Sequence, residues 1–238
     1  MPRTQQSGVL NFTVPSVFSD QVVARASDNL LSLEPNISWV YRITKRGLDI
    51  CGALVGLTLF CLLLPGIALL ILWEDRGPIF YKQVRIGRYG QPFTIYKLRS
   101  MITNADAYLA QHPELLKAWQ QKGKLHADPR ITCIGSFLRR SSIDELPQLF
   151  NVLRGEMSLV GPRAIQSSEL AAFGELSELR QMVKPGLTGL WQVSGRSMTD
   201  YEQRCILDCT YVMQCSLLMD IQIVFRTLPV VFYHTGAY

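Results

Sequence analysis

Apolar positions are spread unevenly along the chain. Residues 1–41 are polar and mixed, with no continuous apolar run before Trp39. From Ile50 to Trp73 the sequence ICGALVGLTLFCLLLPGIALLILW carries no charge, and the run exceeds the ~20 residues that a helix needs to cross a bilayer core. Beyond Gly77 the pattern becomes mixed. PIFYKQVRIG and QPFTIYKLRSM alternate as two strands joined by the turn GRYG. NADAYLAQHPELLKAWQQ predicts a helix interrupted at Pro113. In LPQLFNVL, residues Leu146, Leu149, Phe150 and Leu153 fall at i, i+3, i+4 and i+7, and Gly155 follows where a helix ends. MSLVGPRA reads as a short strand into a turn, and KPGLTGLWQVSGR as a glycine-rich loop. The chain is helical again from Thr199, and SLLMDIQIVFRTLPVVFY is apolar enough either to pack in a core or to lie on a membrane surface.

The apolar run admits two readings. One is a single transmembrane span. The other is a helix that enters the membrane, bends at Pro65 and leaves on the side it came from. An interior proline removes a backbone hydrogen bond and kinks a helix. Basic residues flank both ends, with Arg42, Lys45 and Arg46 before the run and Arg76, Lys82 and Arg85 after it. The positive-inside rule favours the cytoplasm for both flanks, which a single crossing cannot provide.

Charge and cysteine content narrow the chemistry. The net charge is +5, yet no acid lies between Asp75 and Asp106, where Arg76, Lys82, Arg85, Arg88, Lys97 and Arg99 fall. A one-sign block beside an apolar segment suits lipid headgroups or a phosphorylated ligand, or forms a solvated basic face. The cysteines show no CxxC spacing and no disulfide framework, so reduced thiols facing the cytosol are expected.

The stretch RRSSIDELPQL (Arg139–Leu149) holds an adjacent acid pair, Asp144 and Glu145, ahead of Pro147. Ser141 and Ser142 each precede an acid by three residues, which is the pattern of a capping box, and acids at a helix start need no further role. Basic residues around the pair suggest more. Arg139 and Arg140 precede it, Arg163 and Arg196 follow, and Lys97 and Arg99 come from the second predicted strand. Guanidinium groups hold phosphate oxygens bidentately, so this set suits a pyrophosphate. No Walker A loop, GxGxxG or DxD pair is present.

KRGLDI, GQPFTIYKLRSM, FLRRSSIDELPQLFNVLRGEMSLVGPR and KPGLTGLWQVSGR, in this order and spacing, resemble the bacterial sugar transferase family. These are monotopic polyprenyl-phosphate hexose-1-phosphate transferases (phosphoglycosyl transferases) that start surface-polysaccharide assembly. The resemblance covers roughly residues 42–232 and is similar to the short, catalytic-core form of the exopolysaccharide-priming type. It implies an α+β, predominantly helical monotopic membrane protein. The expected layout is a partly flexible lead-in (1–41), a re-entrant helix broken at Pro65 (42–76) and a cytoplasmic catalytic domain (77–238). It further implies a UDP-sugar donor, undecaprenyl phosphate as acceptor and a place on the cytoplasmic face of the bacterial inner membrane. Asp144 matches the nucleophile. Glu145 matches its partner acid, which binds Mg²⁺ or assists proton movement, so Asp144 and Glu145 are the implied magnesium ligands. Lys97, Arg139 and Arg196 fall where substrate phosphates are faced. Arg163 falls in the family's Pro-Arg-Pro turn, but Ala164 replaces the second proline and loosens it. Membrane lipids are expected partners, nucleic acid is not, and a homo-oligomer stays open. The rival reading is a catalytically silent membrane adaptor of a polysaccharide assembly complex, which would have no need of the acid pair and its arginines.

Overall fold

The computed structural model describes residues 37–122, 125, 127–170, 173–174, 176–194 and 201–232. The first element, α1 (Trp39–Glu74), is one helix of 36 residues that continues through Pro65. At 1.5 Å per residue its contour is ~54 Å, far more than a ~30 Å hydrocarbon core requires.

The remaining elements wrap along that helix. β1 (Phe80–Ile86) and β2 (Pro92–Leu98) form an antiparallel hairpin in which Tyr81 opposes Lys97. Tyr89, at φ 56, makes the turn between them. α2 (Ala105–Ala110) and α3 (Pro113–Lys122) are separated at the proline, as the sequence predicts. Then come α4 (Cys133–Arg140), a 3₁₀ turn (Ile143–Gln148) and α5 (Leu149–Arg154), with Gly155 ending α5 at φ 79. β3 (Ser158–Val160) is followed by the short helices α6 (Ser167–Leu170) and α7 (Leu176–Arg180). KPGLTGLWQVSGR is not simply a loop. It holds β4 (Gly186–Thr188), paired in parallel with β3, and α8 (Leu190–Val193). Two helices follow, α9 (Tyr201–Gln214) and α10 (Leu217–Phe232).

One stripe of α1 is core. Ala53 is fully buried with Ile95, Leu149, Val152 and Met157. Phe60 and Ile71 are buried with Leu98 and Leu138, and Leu64 and Ile67 pack beside them. With Leu57, which packs against both groups, these positions recur every three or four residues, the spacing of one helix face. The opposite face, including Leu54, Val55, Leu59, Leu62, Leu69 and Trp73, is exposed.

Polar contacts fix both ends of α1 to the same body. Near its start, Lys45 pairs with Asp220 of α10 at 2.8 Å, and Tyr41 donates to the same carboxylate at 2.9 Å. Arg46 donates to the carbonyls of Val152 and Leu153 at 2.6 and 2.7 Å, satisfying the open end of α5. Asp49 accepts from the Ser158 hydroxyl and the Leu159 N–H. At the far end, Glu74 accepts the N–H groups of Cys133 and Ile134, the free donors that begin α4. The side chain of Asp75 pairs with Arg99 and accepts from Thr103.

Candidate active site

Four segments converge on the acid pair. β2 supplies Lys97, α4 supplies Arg139, the 3₁₀ turn supplies Asp144 and Glu145, and the turn after β3 supplies Arg163. Packing against α1 sets the position of the 3₁₀ turn, because Ile143 and Leu146 on either side of the acids join the cluster around Phe60, Leu98 and Leu138. Helix α4 lies hard against the end of β2. A Cβ on Gly135 would come within 2.0 Å of the Ser100 carbonyl oxygen, so only glycine permits this approach. The contact brings Arg139 Nε to 2.8 Å from Ser100 Oγ.

The expected capping box does not form. Ser142 precedes the 3₁₀ turn in left-handed conformation (φ 57, ψ 16) and makes no side-chain cap. Ser141 Oγ donates backwards, to the carbonyls of Phe137 and Leu138 at 2.9 and 3.2 Å. The two serines therefore finish α4 instead of starting α5. The left-handed residue reverses the chain, so the acids enter a tight 3₁₀ turn and the α-helix begins only at Leu149.

The two carboxylates have opposite environments. Glu145 Oε1 accepts from Lys97 Nζ at 2.7 Å and from Arg163 Nη2 at 2.7 Å, and Oε2 accepts from Arg163 Nη1 at 3.3 Å. Burial alone would raise its pKa, but Arg163 and Lys97 outweigh burial and hold it well below the usual carboxylate range. Asp144, 7% exposed, has no hydrogen bond or ion pair among the described residues. Its pKa is pushed up to about 6 by burial and by Glu145, against the pull of Lys97, Arg139 and Arg163. The result is one carboxylate locked in an ion-pair triad and one left unengaged beside the same cations. Burial also lowers the pKa of Arg139, opposed by Asp144 and Asp128.

Other expected residues are placed differently. The structure does not bring Arg99 to the acids. Its guanidinium pairs with Asp75, and it donates to the Pro78 carbonyl at 2.7 Å and to Thr103 Oγ1 at 2.9 Å. Arg140 is exposed at the end of α4. Arg196 lies outside the described residues. Pro65 is inside α1, distant in sequence from the site.

Behind Arg163 lies a charged layer with no role assigned from sequence. Arg85 on β1 pairs with Glu169 at 3.0 Å. Arg204 on α9 approaches the same carboxylate at 3.6 Å and covers the Trp191 ring at 4.5 Å. Arg180 and Asp208, almost wholly buried, pair at 2.8 Å. Arg85 lay within the basic block, but nothing in the sequence links Arg180 to Asp208 on another helix.

Magnesium takes octahedral oxygen ligands, usually one or two carboxylates with phosphate oxygens and water. Among the described residues no group of three His, Cys, Asp or Glu side chains converges, so a cage made only of protein is not present. The unengaged Asp144 and the lightly bonded Oε2 of Glu145 do fit an ion held largely by substrate phosphates.

The family model described as bacterial sugar transferase matches residues 40–234. The chain belongs to the bacterial sugar transferase family. Relatives share its sequence closely. It is 41% identical over 237 residues to an undecaprenyl-phosphate galactose phosphotransferase of Salmonella typhimurium, covering 96% of this chain and 48% of that protein. It is 44% identical over 229 residues to a UDP-galactose-lipid carrier transferase of Erwinia amylovora, covering 93% of this chain and 46% of that one. The exopolysaccharide production protein ExoY of Sinorhizobium fredii is 42% identical over 200 residues, covering 82% of this chain and 88% of ExoY. The chain spans about half the length of the first two.

Proposed function

We propose that this sugar transferase moves a hexose-1-phosphate from a UDP-sugar to undecaprenyl phosphate, releasing UMP and starting exopolysaccharide or other surface-polysaccharide synthesis. One observation carries the chemistry: the unengaged carboxylate of Asp144 stands beside cations that already neutralise its neighbour. A nucleophile must be ionised and free, and a phosphoryl electrophile needs positive charge on its non-bridging oxygens.

In the first step an Asp144 oxygen attacks the β-phosphorus of the donor. The bond from that phosphorus to the bridging oxygen breaks, and UMP leaves with that oxygen. A sugar-phosphoryl aspartate remains. In the second step an oxygen of undecaprenyl phosphate attacks the same phosphorus, and the Asp144 carboxylate is released. Lys97, Arg139 and Arg163 hold the phosphate oxygens through both steps, and Arg196 is expected to join them. Lys97 and Arg163 also keep Glu145 anionic, and their charges, with that of Arg139, pull against the rise in the pKa of Asp144 so that it too is a carboxylate at neutral pH. When bound by Asp144 and Glu145, Mg²⁺ supplies further charge neutralisation on the diphosphate. Galactose and glucose are the favoured sugars, since relatives are named for a galactose phosphotransferase and, in Escherichia coli, a glucose-1-phosphate transferase.

The membrane reading extends the same proposal. In this reading α1 enters the bilayer from the cytoplasmic face of the bacterial inner membrane and leaves on the same side, which calls for a bend at Pro65 that the continuous helix described above does not have. Supporting this, the core stripe of α1 runs from Ala53 to Ile71, and both Lys45 and Asp75 bind one body. A perpendicular crossing would put those ends on opposite sides of the membrane. The exposed Leu218, Ile221, Val224, Phe225 and Leu228 of α10 then lie along the leaflet surface.

The test combines UDP-hexoses, Mg²⁺ and undecaprenyl phosphate with the full chain and reads UMP release, together with a hexose-phosphate mass on Asp144. Absence of UMP with every UDP-sugar would favour the adaptor. UMP release without any trappable adduct, with Asp144→Asn still active, would instead mean direct transfer.

A further inference from the structure

We propose that Arg180 and Asp208 are positioning residues for the transfer: as a buried pair they hold the main chain of the Pro162–Ala164 turn so that Arg163 meets Glu145 and the substrate phosphates. The proposal rests on the transferase reading above and adds residues that neither the acid pair nor its cations identify.

Burying two charges is costly, and an apolar pair of similar volume would join α7 to α9 at no such cost. The pair therefore calls for a reason beyond packing. Arg180 Nε donates to Asp208 Oδ2 at 2.8 Å, with the two side chains 3% and 1% exposed. The other arm of the guanidinium, Nη2, donates to the main-chain carbonyl of Arg163. The group also lies 5.0 Å from the centre of the Phe173 ring. A planar fork can satisfy a carboxylate, a carbonyl and an aromatic face together, whereas an ammonium acts as a point donor.

The carbonyl it holds lies where the turn has least support. On one flank the Gly186 N–H donates to the Pro162 carbonyl at 2.8 Å, and Arg163 bridges Gly186 in parallel. On the other flank the Ile86 N–H donates to the Ile165 carbonyl at 2.9 Å. Between them Ala164 has no ring to fix its φ. Arg180 is the described donor to the Arg163 carbonyl itself. From that anchored backbone the Arg163 side chain reaches Glu145 with two nitrogens. The line from Asp208 through Arg180 and the Arg163 main chain to Glu145 thus passes a constraint from α9 to the site without touching substrate. Asp208 Oδ1, although buried, has no partner among the described residues, so the carboxylate's one described bond is the one to Arg180.

The test measures UMP release by the full chain in lipid nanodiscs containing undecaprenyl phosphate, with thermal unfolding of each variant in parallel. Arg180→Lys keeps the positive charge but not the fork. It is expected to lower kcat/KM by about 10- to 100-fold, the scale of a ~1 Å misplacement at a reacting centre, with the unfolding midpoint unchanged. Two further variants distinguish positioning from general support. In an Arg163→Ala background, Arg180→Lys should cost almost nothing more, because its effect passes through Arg163. Ala164→Pro, which fixes φ within the turn, should restore part of the activity lost in Arg180→Lys. Wild-type kcat/KM in Arg180→Lys, an equal further loss in the Arg163→Ala background, or a loss that tracks the folded fraction overturns the proposal alone. A wild-type chain that releases no UMP overturns the transferase reading and this inference with it.

Discussion

Asp144 and Glu145 are adjacent, yet their surroundings give them separate tasks. Glu145 is paired with Lys97 and Arg163, and Asp144 has no partner among the described residues, its pKa pushed up to about 6 by burial and the Glu145 charge. Nucleophilic attack needs the anion, so UMP release should fall as pH drops through about 6 and level off above it. Arg163→Ala removes a charge that lowers this pKa, so the acid limb should move to higher pH. Glu145→Gln removes one that raises it, so the limb should move lower. Both variants will also lose rate, but the opposite displacements are the diagnostic. A limb that stays put in both would mean that another group titrates. Asp144→Asn keeps the shape and removes the proposed nucleophile, and should reduce UMP release to background in a stopped assay.

At the scale of elements, one face of α1 is core and the opposite face is exposed. Phe60 is 4% exposed against Leu98 and Leu138, whereas Leu62, two residues on, is 75% exposed. Phe60→Ala should destabilise the protein by about 3–5 kcal/mol, as cavities at buried aromatics do. Leu62→Ala should change stability little in the same detergent, where the two chemical-denaturation curves can be compared. Equal effects would place Phe60 on the lipid face. Gly135→Ala is the corresponding probe of α4. Its Cβ would need the space of the Ser100 carbonyl, so it should move Arg139 and cost about 1–3 kcal/mol or more, with activity falling beyond the loss of folded protein.

For the whole molecule, re-entry and spanning differ in a measurable way. In a cysteine-free variant in intact cells, single cysteines at Trp39 and Arg76 should both be shielded from an impermeant thiol reagent outside, and both react once the cytoplasmic side is opened. A plain span would leave one of them reactive from outside. Such a result would also conflict with contacts that tie Lys45 and Asp75 to one body.

Local pattern determined a large part of this protein. The charge-free run, the alternating hairpin, the break at Pro113 and the glycine after Leu153 and Arg154 are all nearest-neighbour effects, and the elements follow them. That Lys97, Arg139 and Arg163 gather around the acid pair was legible because the motif keeps them in order, and their task there is the proposal above. Sequence could not show which carboxylate would be free. That depends on where Arg163, eighteen residues on, returns in space, and on the burial that separates the two pKa values. Nor could it separate Arg99, used by Asp75, from Lys97 on the same strand, or find Arg180 beside Asp208. The serines fit a capping box on paper, but their hydroxyls and φ angles were set by the end of α4. Periodicity specifies which faces are apolar. Which charges meet is decided by long-range packing, and here that packing includes the long apolar helix α1 itself.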